Sequence, residues 1–252
     1  MPEQNCFDVN VSAFSDPHEI RIDFPENYEV FRCSFNGAGR PKISSAEIRE
    51  KILSPVGSRT LAELAEADSE VGIVFDDLSR PTDFSEIAAV VIEQLLQNGV
   101  NKENIRFVCA TGAHGALTLK DFVKKIGRDI AGSYPVYNHN PFRGNKFVGE
   151  TDAGVPLYLN PELYRCDVVI GLGTVLPHIN MGFSGGGKIL FPGCCGIESI
   201  GGLHSMKHEG KLRLWNTHDN YTRKTIDQAG RICGLDFIVN VLLNGRKEIT
   251  DV

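Results

Sequence analysis

Residues 71–99 read VGIVFDDLSRPTDFSEIAAVVIEQLLQNG. Val71–Phe75 is a continuous apolar run of strand length, the pattern of a strand buried on both faces. The run ends at Asp76, Asp77, Leu78, Ser79, Arg80 and Pro81. Asp83, with Glu86 three residues on, reads as a capping box. Phe84, Ile87, Ala88, Val91, Leu95 and Leu96 then recur at helical spacing, and Gly99 closes the helix. DDLSRP therefore lies in a strand-to-helix loop, at the edge where open parallel sheets bind ligands.

The same unit recurs downstream. Ile105–Ala110 reads as a buried strand, Thr111–Gly115 as its loop, and Leu119–Ile126 as a helix capped by Thr118 with Asp121. Tyr134–His139, Asp167–Leu172 and Asp236–Leu243 are further strands; Glu198–Glu209 and His218–Cys233 are helices. The alternation predicts an α/β fold: a mostly parallel sheet with helices on both faces, Rossmann-like. Smaller pieces surround it. Residues 1–45 form an N-terminal arm, with Ile20–Phe24 and Tyr28–Phe35 as edge strands or a hairpin. Ser44 or Ser45 caps a helix to Leu53 with Glu47 in its first turn, and Leu61–Ala67 is a short helix. Residues 145–159 read as a β-hairpin turning at Asp152–Gly154, and Asn160–Arg165 as a helical turn.

The chain has 252 residues, enough for one large domain or two small ones, and its 42% hydrophobic content supports a sizeable core. A net charge of −6 argues against a nucleic-acid surface. MPEQNCFDVN lacks the features of a signal peptide, and no apolar run is long enough to span a membrane. Seven scattered cysteines are a reduced, cytoplasmic pattern and not a disulfide framework.

Chemistry concentrates in residues 176–204, LPHINMGFSGGGKILFPGCCGIESIGGLH. His178, Lys188 and His204 can bind, react or titrate, and the glycines between them let backbone approach a ligand. Three readings compete. Gly182 to Lys188 fits a P-loop up to the lysine, but Ile189 stands where Ser or Thr should hold magnesium. Cys194, Cys195, His204 and His208 could hold zinc, at an unfamiliar spacing. The third is a site for a phosphate-bearing cofactor that also uses Lys188 and the histidines. Gly171-Leu-Gly173 begins like a dinucleotide fingerprint, but Leu176 stands where the last glycine belongs. His139 reads as structural.

PHINMGFSGGGKILFPGCCG resembles the nickel-pincer lactate racemase family, whose motif runs Pro-His, a few residues, Gly-[FY]-Ser-Gly-Gly-x-Lys, then Pro-Gly. Two further family motifs precede it in order: DLSRP at 77–81 and TGAHG at 111–115. The resemblance covers about residues 35 to 252. It implies a nickel-pincer nucleotide carried on Lys188, lined by Ser184, Gly185, Gly186 and Gly187, with His204 as the protein ligand to nickel. It implies inversion of a 2-hydroxy acid at its α carbon. His114 and His178 would be the bases on either face, Arg80 the grip on the substrate carboxylate, and Asp77 the residue that orients it or a histidine.

The chain departs from the family in two ways. Gly115 follows the motif histidine where the family often has Arg. Family members are also longer and close the site with a second domain. The whole of 1–252 therefore resembles the N-terminal cofactor domain, with a C-terminal domain or partner subunit missing. Two alternatives stay open: a non-catalytic or partner-dependent cofactor-binding domain, and a phosphate-binding enzyme using Gly182–Lys188.

Overall fold

Four continuous apolar runs form the centre of the molecule. The computed structural model describes residues 6–10, 19–31, 33–206 and 215–252. In chain order the elements are β1 (Cys6–Asn10), β2 (Glu19–Asp23), α1 (Ser45–Leu53), α2 (Leu61–Leu64), β3 (Val71–Asp76), α3 (Ser85–Gln97), β4 (Ile105–Ala110), α4 (Leu119–Ile126), α5 (Arg128–Ser133) and β5 (Val136–Asn138). There follow β6 (Lys146–Glu150), β7 (Pro156–Leu159), α6 (Pro161–Tyr164), β8 (Val168–Thr174), β9 (Pro177–His178), β10 (Gly182–Phe183), α7 (Ile197–Ser205), α8 (Tyr221–Ile232), β11 (Phe237–Leu243) and β12 (Ile249–Asp251).

The main sheet has six strands in the order β12-β11-β8-β3-β4-β5. All its ladders are parallel except that of β12, which runs antiparallel at the edge. β3 and β8 are buried at every position, so they show no polar alternation. Val71, Ile73 and Phe75 point to one face, where α1, α3 and α4 pack. Val74 and Val169 point to the other, covered by β7, residues 189–195, α7 and α8. The expected architecture is present. From β3 the chain adds β4 and β5 on one side, then crosses to place β8 and β11 on the other. The order thus reverses between β3 and β8, where such sheets open a ligand crevice at the strands' carboxyl ends.

Local signals set the helix starts. Ser44 and Glu47 exchange hydrogen bonds in a capping box before α1. Asp121 accepts from both the N–H and the hydroxyl of Thr118 before α4.

Four local expectations need correction. The Asp83/Glu86 box is not formed: Asp83 accepts from the Ser85 N–H two residues on, and Phe84 is the cap, its own N–H donating to Lys125 O. The expected helix over 61–67 stops at Leu64 because Ala65 is extended. β2 pairs with β1, whereas Tyr28–Phe35 carries no strand among its described residues. The helix expected over 198–209 runs from Ile197 to Ser205, and its last residues, with His208, lie outside the described ones.

Candidate active site

β3 delivers two adjacent carboxylates to its end, and they face different ways. Asp76 turns inward: Oδ2 accepts from Thr174 N–H at 3.0 Å and Thr174 Oγ1 at 2.8 Å. Its Oδ1 lies 2.6 Å from Lys125 Nζ, on a side chain that is 0% exposed. Lys125 also donates to Arg80 O at 3.0 Å and sits 4.9 Å from the Phe84 ring centre. This buried cluster binds α4, the DDLSRP loop and β8 into one floor. Burial pushes the Asp76 carboxyl up, while Lys125 and Thr174 pull it back.

Asp77 turns toward the crevice. Its Oδ1 accepts from the N–H of Ser79 at 3.0 Å and from the Ser79 hydroxyl, and its Oδ2 lies 2.6 Å from His114 Nδ1. Burial raises its pKa, but the donors from Ser79 and His114 outweigh burial and hold it below the usual carboxylate range. Arg80 is not Asp77's partner. Its Nη1 donates to Ser79 O and Oγ, and no carboxylate pairs with it among the described residues. The TGAHG loop is fastened by Gly112 N–H to Gly193 O at 2.9 Å, which brings His114 over the crevice. The His114 side chain is 67% exposed, so the crevice is open on that side.

The opposite wall comes from the 176–193 segment. Ser184 Oγ donates to Thr174 O at 2.6 Å and accepts from Leu176 N–H at 2.8 Å, folding the β9–β10 hairpin back onto the end of β8. In that hairpin, His178 Nδ1 accepts from the N–H groups of Asn180 and Met181, each at 3.3 Å. Burial lowers the His178 pKa to about 4, and Lys188 and Arg80 push the same way. Lys188 stands on a single 3₁₀ turn, Gly186–Ile189. Its ammonium has no hydrogen-bond or ion-pair partner among the described residues. Burial, then Arg80 and Arg223, lowers its pKa to about 8.

The crevice is lined by Asp77, Arg80, His114, Ser184, Gly185 and Lys188, together with the ends of β3, β4 and β8. His178 is not a lining residue, but the charges acting on it are those of Lys188 and Arg80. Gly186 and Gly187 do not line it either. A side chain at Gly187 would meet Ile226 O at 2.7 Å, because this turn packs backbone to backbone against α8 at Gly230. Gly186 lies against Arg223, whose Nη2 is 2.6 Å from where a Cβ would stand. His204 is exposed on α7 and is not a lining residue of the crevice; its Nδ1 lies 2.8 Å from Ile200 O.

The P-loop reading of this segment loses its structural basis, and His208 of the zinc reading lies outside the described residues. A P-loop needs a strand running straight into the glycine loop and a helix after it. Here a two-residue hairpin strand precedes the glycines and one 3₁₀ turn follows. Among the described residues, no group of three or more His, Cys, Asp or Glu side chains is placed to hold a metal ion. Cys194 and Cys195 are buried, and Cys195 Sγ lies 3.9 Å from Cys233 Sγ. His139 is buried between Cys195 O and Asn160 Nδ2, and burial lowers its pKa to about 4, as befits a structural residue.

Sequence reasoning missed Asp76, Lys125, Thr174 and Arg223. Arg223 donates to Phe183 O at 3.1 Å and pairs with Asp227 at 3.0 Å, so α8 presents a cation to the glycine turn. A readable signal was Gly230 inside a helical pattern, which marks a close backbone approach.

The family description "lactate racemase N-terminal domain" matches residues 16–213. A lactate racemase of Lactiplantibacillus plantarum is 31% identical over 229 residues, covering 89% of this chain and 54% of that protein. A lactate racemase of Thermoanaerobacterium thermosaccharolyticum is 24% identical over 249 residues, covering 96% and 58%. The solved lactate racemase apoprotein of T. thermosaccharolyticum superimposes with a TM-score of 0.78 at 22% identity, covering 97% of this chain and 58% of that one. A solved protein from Thermotoga maritima gives a TM-score of 0.62 at 21% identity, over 87% and 55%. The chain spans little more than half the length of the relatives it matches.

Proposed function

We infer that this chain, which belongs to the lactate racemase family through its N-terminal domain, carries the cofactor-binding and proton-handling machinery that inverts lactate or a close 2-hydroxy acid. One observation carries the reading. At the switch point of the sheet, a carboxylate-held histidine shares one crevice with an arginine that has no carboxylate partner and a half-buried lysine that has no partner among the described residues.

Lys188, Ser184 and Gly185, with the cations around them, fit a nickel-pincer nucleotide. An amine with a pKa near 8 is partly neutral at physiological pH and can be acylated, so Lys188 can carry the group covalently. Arg80 and Arg223 both act on Lys188 across the glycine turn, a gathering of positive charge suited to a phosphate. Ser184 and Gly185 line the crevice wall beside it. A metal carried in the cofactor needs few protein ligands, and His204, which stands outside the crevice lining, is the candidate the resemblance names. With Nδ1–H given to Ile200 O, its Nε2 lone pair is free to bind nickel. Such a cofactor, when bound, would take hydride from the α carbon and return it.

The protein's own part is binding, orientation and proton transfer. Arg80 offers its fork to the substrate carboxylate. Asp77 holds His114, and His114 with His178 handles the hydroxyl proton. Asp76 and Lys125 fix the loop that carries Asp77 and Arg80.

No helix among the described residues is long and apolar enough to cross a membrane. All seven cysteines are free thiols, which suits a reducing cytoplasm. The second reading is a cofactor domain that needs its C-terminal half or a partner subunit. It is favoured by the open His114 side and by the length of the relatives.

The test is chiral chromatography of L-lactate after incubation with protein purified from cells that make the cofactor. The main reading expects D-lactate from wild type and strongly reduced conversion with Arg80→Ala. Conversion only after adding the C-terminal half of the L. plantarum relative assigns the second reading. No conversion in either case refutes both.

A further inference from the structure

Asp77 and Arg80 stand three residues apart in one turn, closed by Arg80 N–H to Asp77 O at 3.2 Å. Opposite charges so close on one loop attract, and an arginine fork fits a carboxylate. The two side chains nevertheless do not pair, and Ser79 stands between them. Its N–H, at 3.0 Å, and its hydroxyl both donate to Asp77 Oδ1. With its proton committed there, Ser79 Oγ accepts from Arg80 Nη1 at 3.2 Å, and Ser79 O accepts from the same nitrogen at 3.1 Å. Both Ser79 donors take Oδ1, which leaves Oδ2 to His114 at 2.6 Å. Among the described residues no hydrogen bond uses Arg80 Nε or Nη2, so the guanidinium edge that carries both is open.

We propose that Ser79 is a positioning residue that keeps Asp77 and Arg80 apart: its hydroxyl engages both, so the carboxylate is kept for His114 and the Nε/Nη2 fork of Arg80 for an anionic ligand. The inference rests on the proposed function only for what that ligand is, the carboxylate of a 2-hydroxy acid; the separation of the two charges belongs to the chain without cofactor.

The surroundings agree with this division. The Arg80 backbone is pinned, with its carbonyl taking Lys125 Nζ at 3.0 Å, but hydrogen bonds among the described residues hold the guanidinium through Nη1 alone. Against the burial that raises it, Ser79 and His114 supply the donors that keep the Asp77 carboxyl low. Beyond burial, the charge of Arg80 acts on the opposite wall, at Lys188 and His178. Ser79 itself lines the crevice and is exposed, so one hydroxyl competes with one part-exposed ion pair. Without that hydroxyl, Oδ1 keeps the Ser79 N–H but has a lone pair to spare, and Nη1 keeps only Ser79 O. Arg80 then turns its fork to the carboxylate three residues back. The crevice loses its open guanidinium edge, and His114 shares its carboxylate. Ser79→Thr keeps the hydroxyl and should behave as wild type, whereas Ser79→Ala should not.

The test is ¹H–¹⁵N correlation NMR of the ¹⁵N-arginine-labelled chain without cofactor, with the guanidinium signals of Arg80 assigned by their loss in Arg80→Lys. Wild type and Ser79→Thr should show the same Arg80 signals. Ser79→Ala should move them downfield and slow their exchange with water, and adding Asp77→Asn should cancel the change. Ser79→Gly, which lacks the hydroxyl too, must give the same shift. Arg80 signals that stay at their wild-type positions in both hydroxyl-free variants, or a shift that survives Asp77→Asn, overturn the inference. A second measurement is calorimetry of the cofactor-loaded protein with 2-hydroxyisobutyrate, a 2-hydroxy acid with no hydrogen on its α carbon to transfer. Ser79→Ala should weaken its binding by about fivefold, the upper end for a part-exposed ion pair that must open first. In the Asp77→Asn background the same substitution should cost less than about twofold, because no carboxylate is left to capture Arg80. An equal loss in both backgrounds would make Ser79 a direct contact or a loop-builder and overturn its role as a separator. The expected Arg80 signals in a protein that neither binds this acid nor turns over lactate would leave the inference standing and refute the proposed function instead.

Discussion

Lys125→Met should be among the most damaging single changes outside the crevice. The variant keeps the apolar stem but leaves Asp76 as a buried carboxylate without its 2.6 Å partner, on a side chain only 12% exposed. Removing one member of a buried pair costs about 3–5 kcal/mol. Against a typical total of about 5–15 kcal/mol, that is a large fraction. At roughly 2–4 °C per kcal/mol for a chain of this size, the midpoint should fall by about 6–20 °C. The loss should be recoverable. Adding Asp76→Asn removes the stranded charge while leaving an oxygen to accept from Thr174, so the double variant should regain at least half of the lost stability. Thermal and urea unfolding followed by circular dichroism measure both values. The reasoning fails if Lys125→Met stays within about 1 kcal/mol of wild type, or if the two substitutions simply add.

Three further outcomes are expected. Lys188→Met should stabilise the protein at pH 7: the folded-state pKa of about 8 lies below the ordinary 10.5, so the buried ammonium is a penalty at neutral pH that fades as pH rises between those values. The gain, about 3 kcal/mol at most, should vanish near pH 10.5 in denaturant titrations across pH. His139 acts in the same sense in a lower window: its folded pKa of about 4 lies below 6.5, so stability present above pH 6.5 is lost as pH falls from 6.5 to about 4. His139→Gln should show a shallower acid dependence, by about 3 kcal/mol at most over that window. Arg80→Ala should weaken lactate binding to the loaded protein by roughly 10–100-fold in calorimetry, the worth of a charged hydrogen-bond pair, with unfolding midpoints little changed.

The sheet was readable because β3, β4, β8 and β11 are buried strands whose apolar runs stand out against their flanks. The capping signals at Ser44 and Thr118 were equally local. Their loops hold DLSRP, TGAHG and the glycine-lysine segment, so fold and crevice could be inferred together. Shorter pieces escaped. α5 has six residues and β12 has three, too few for a periodic signal. The choice of partners escaped too. Asp77 has Arg80 three residues away and yet pairs with His114, 37 residues on in the chain. Lys125 looks like a solvated lysine on an amphipathic helix; its burial against Asp76, 49 residues away, follows only from how α4 packs. Arg223 reads as an ordinary i,i+4 pair with Asp227 and reaches the glycine turn only because Gly187 and Gly230 let two backbones touch. The placement of His178 Nδ1 is a property of a hairpin seven residues long, which no periodicity describes.

The most direct test of the account is the intact mass of the chain purified from cells that make the cofactor, compared between wild type, Lys188→Ala and Lys188→Arg. The account expects a mass gain on wild type that is absent from both variants, and nickel content that falls with it while His114→Gln keeps both. An adduct of equal abundance on Lys188→Ala, or a folded wild-type protein that carries neither added mass nor nickel, would contradict it.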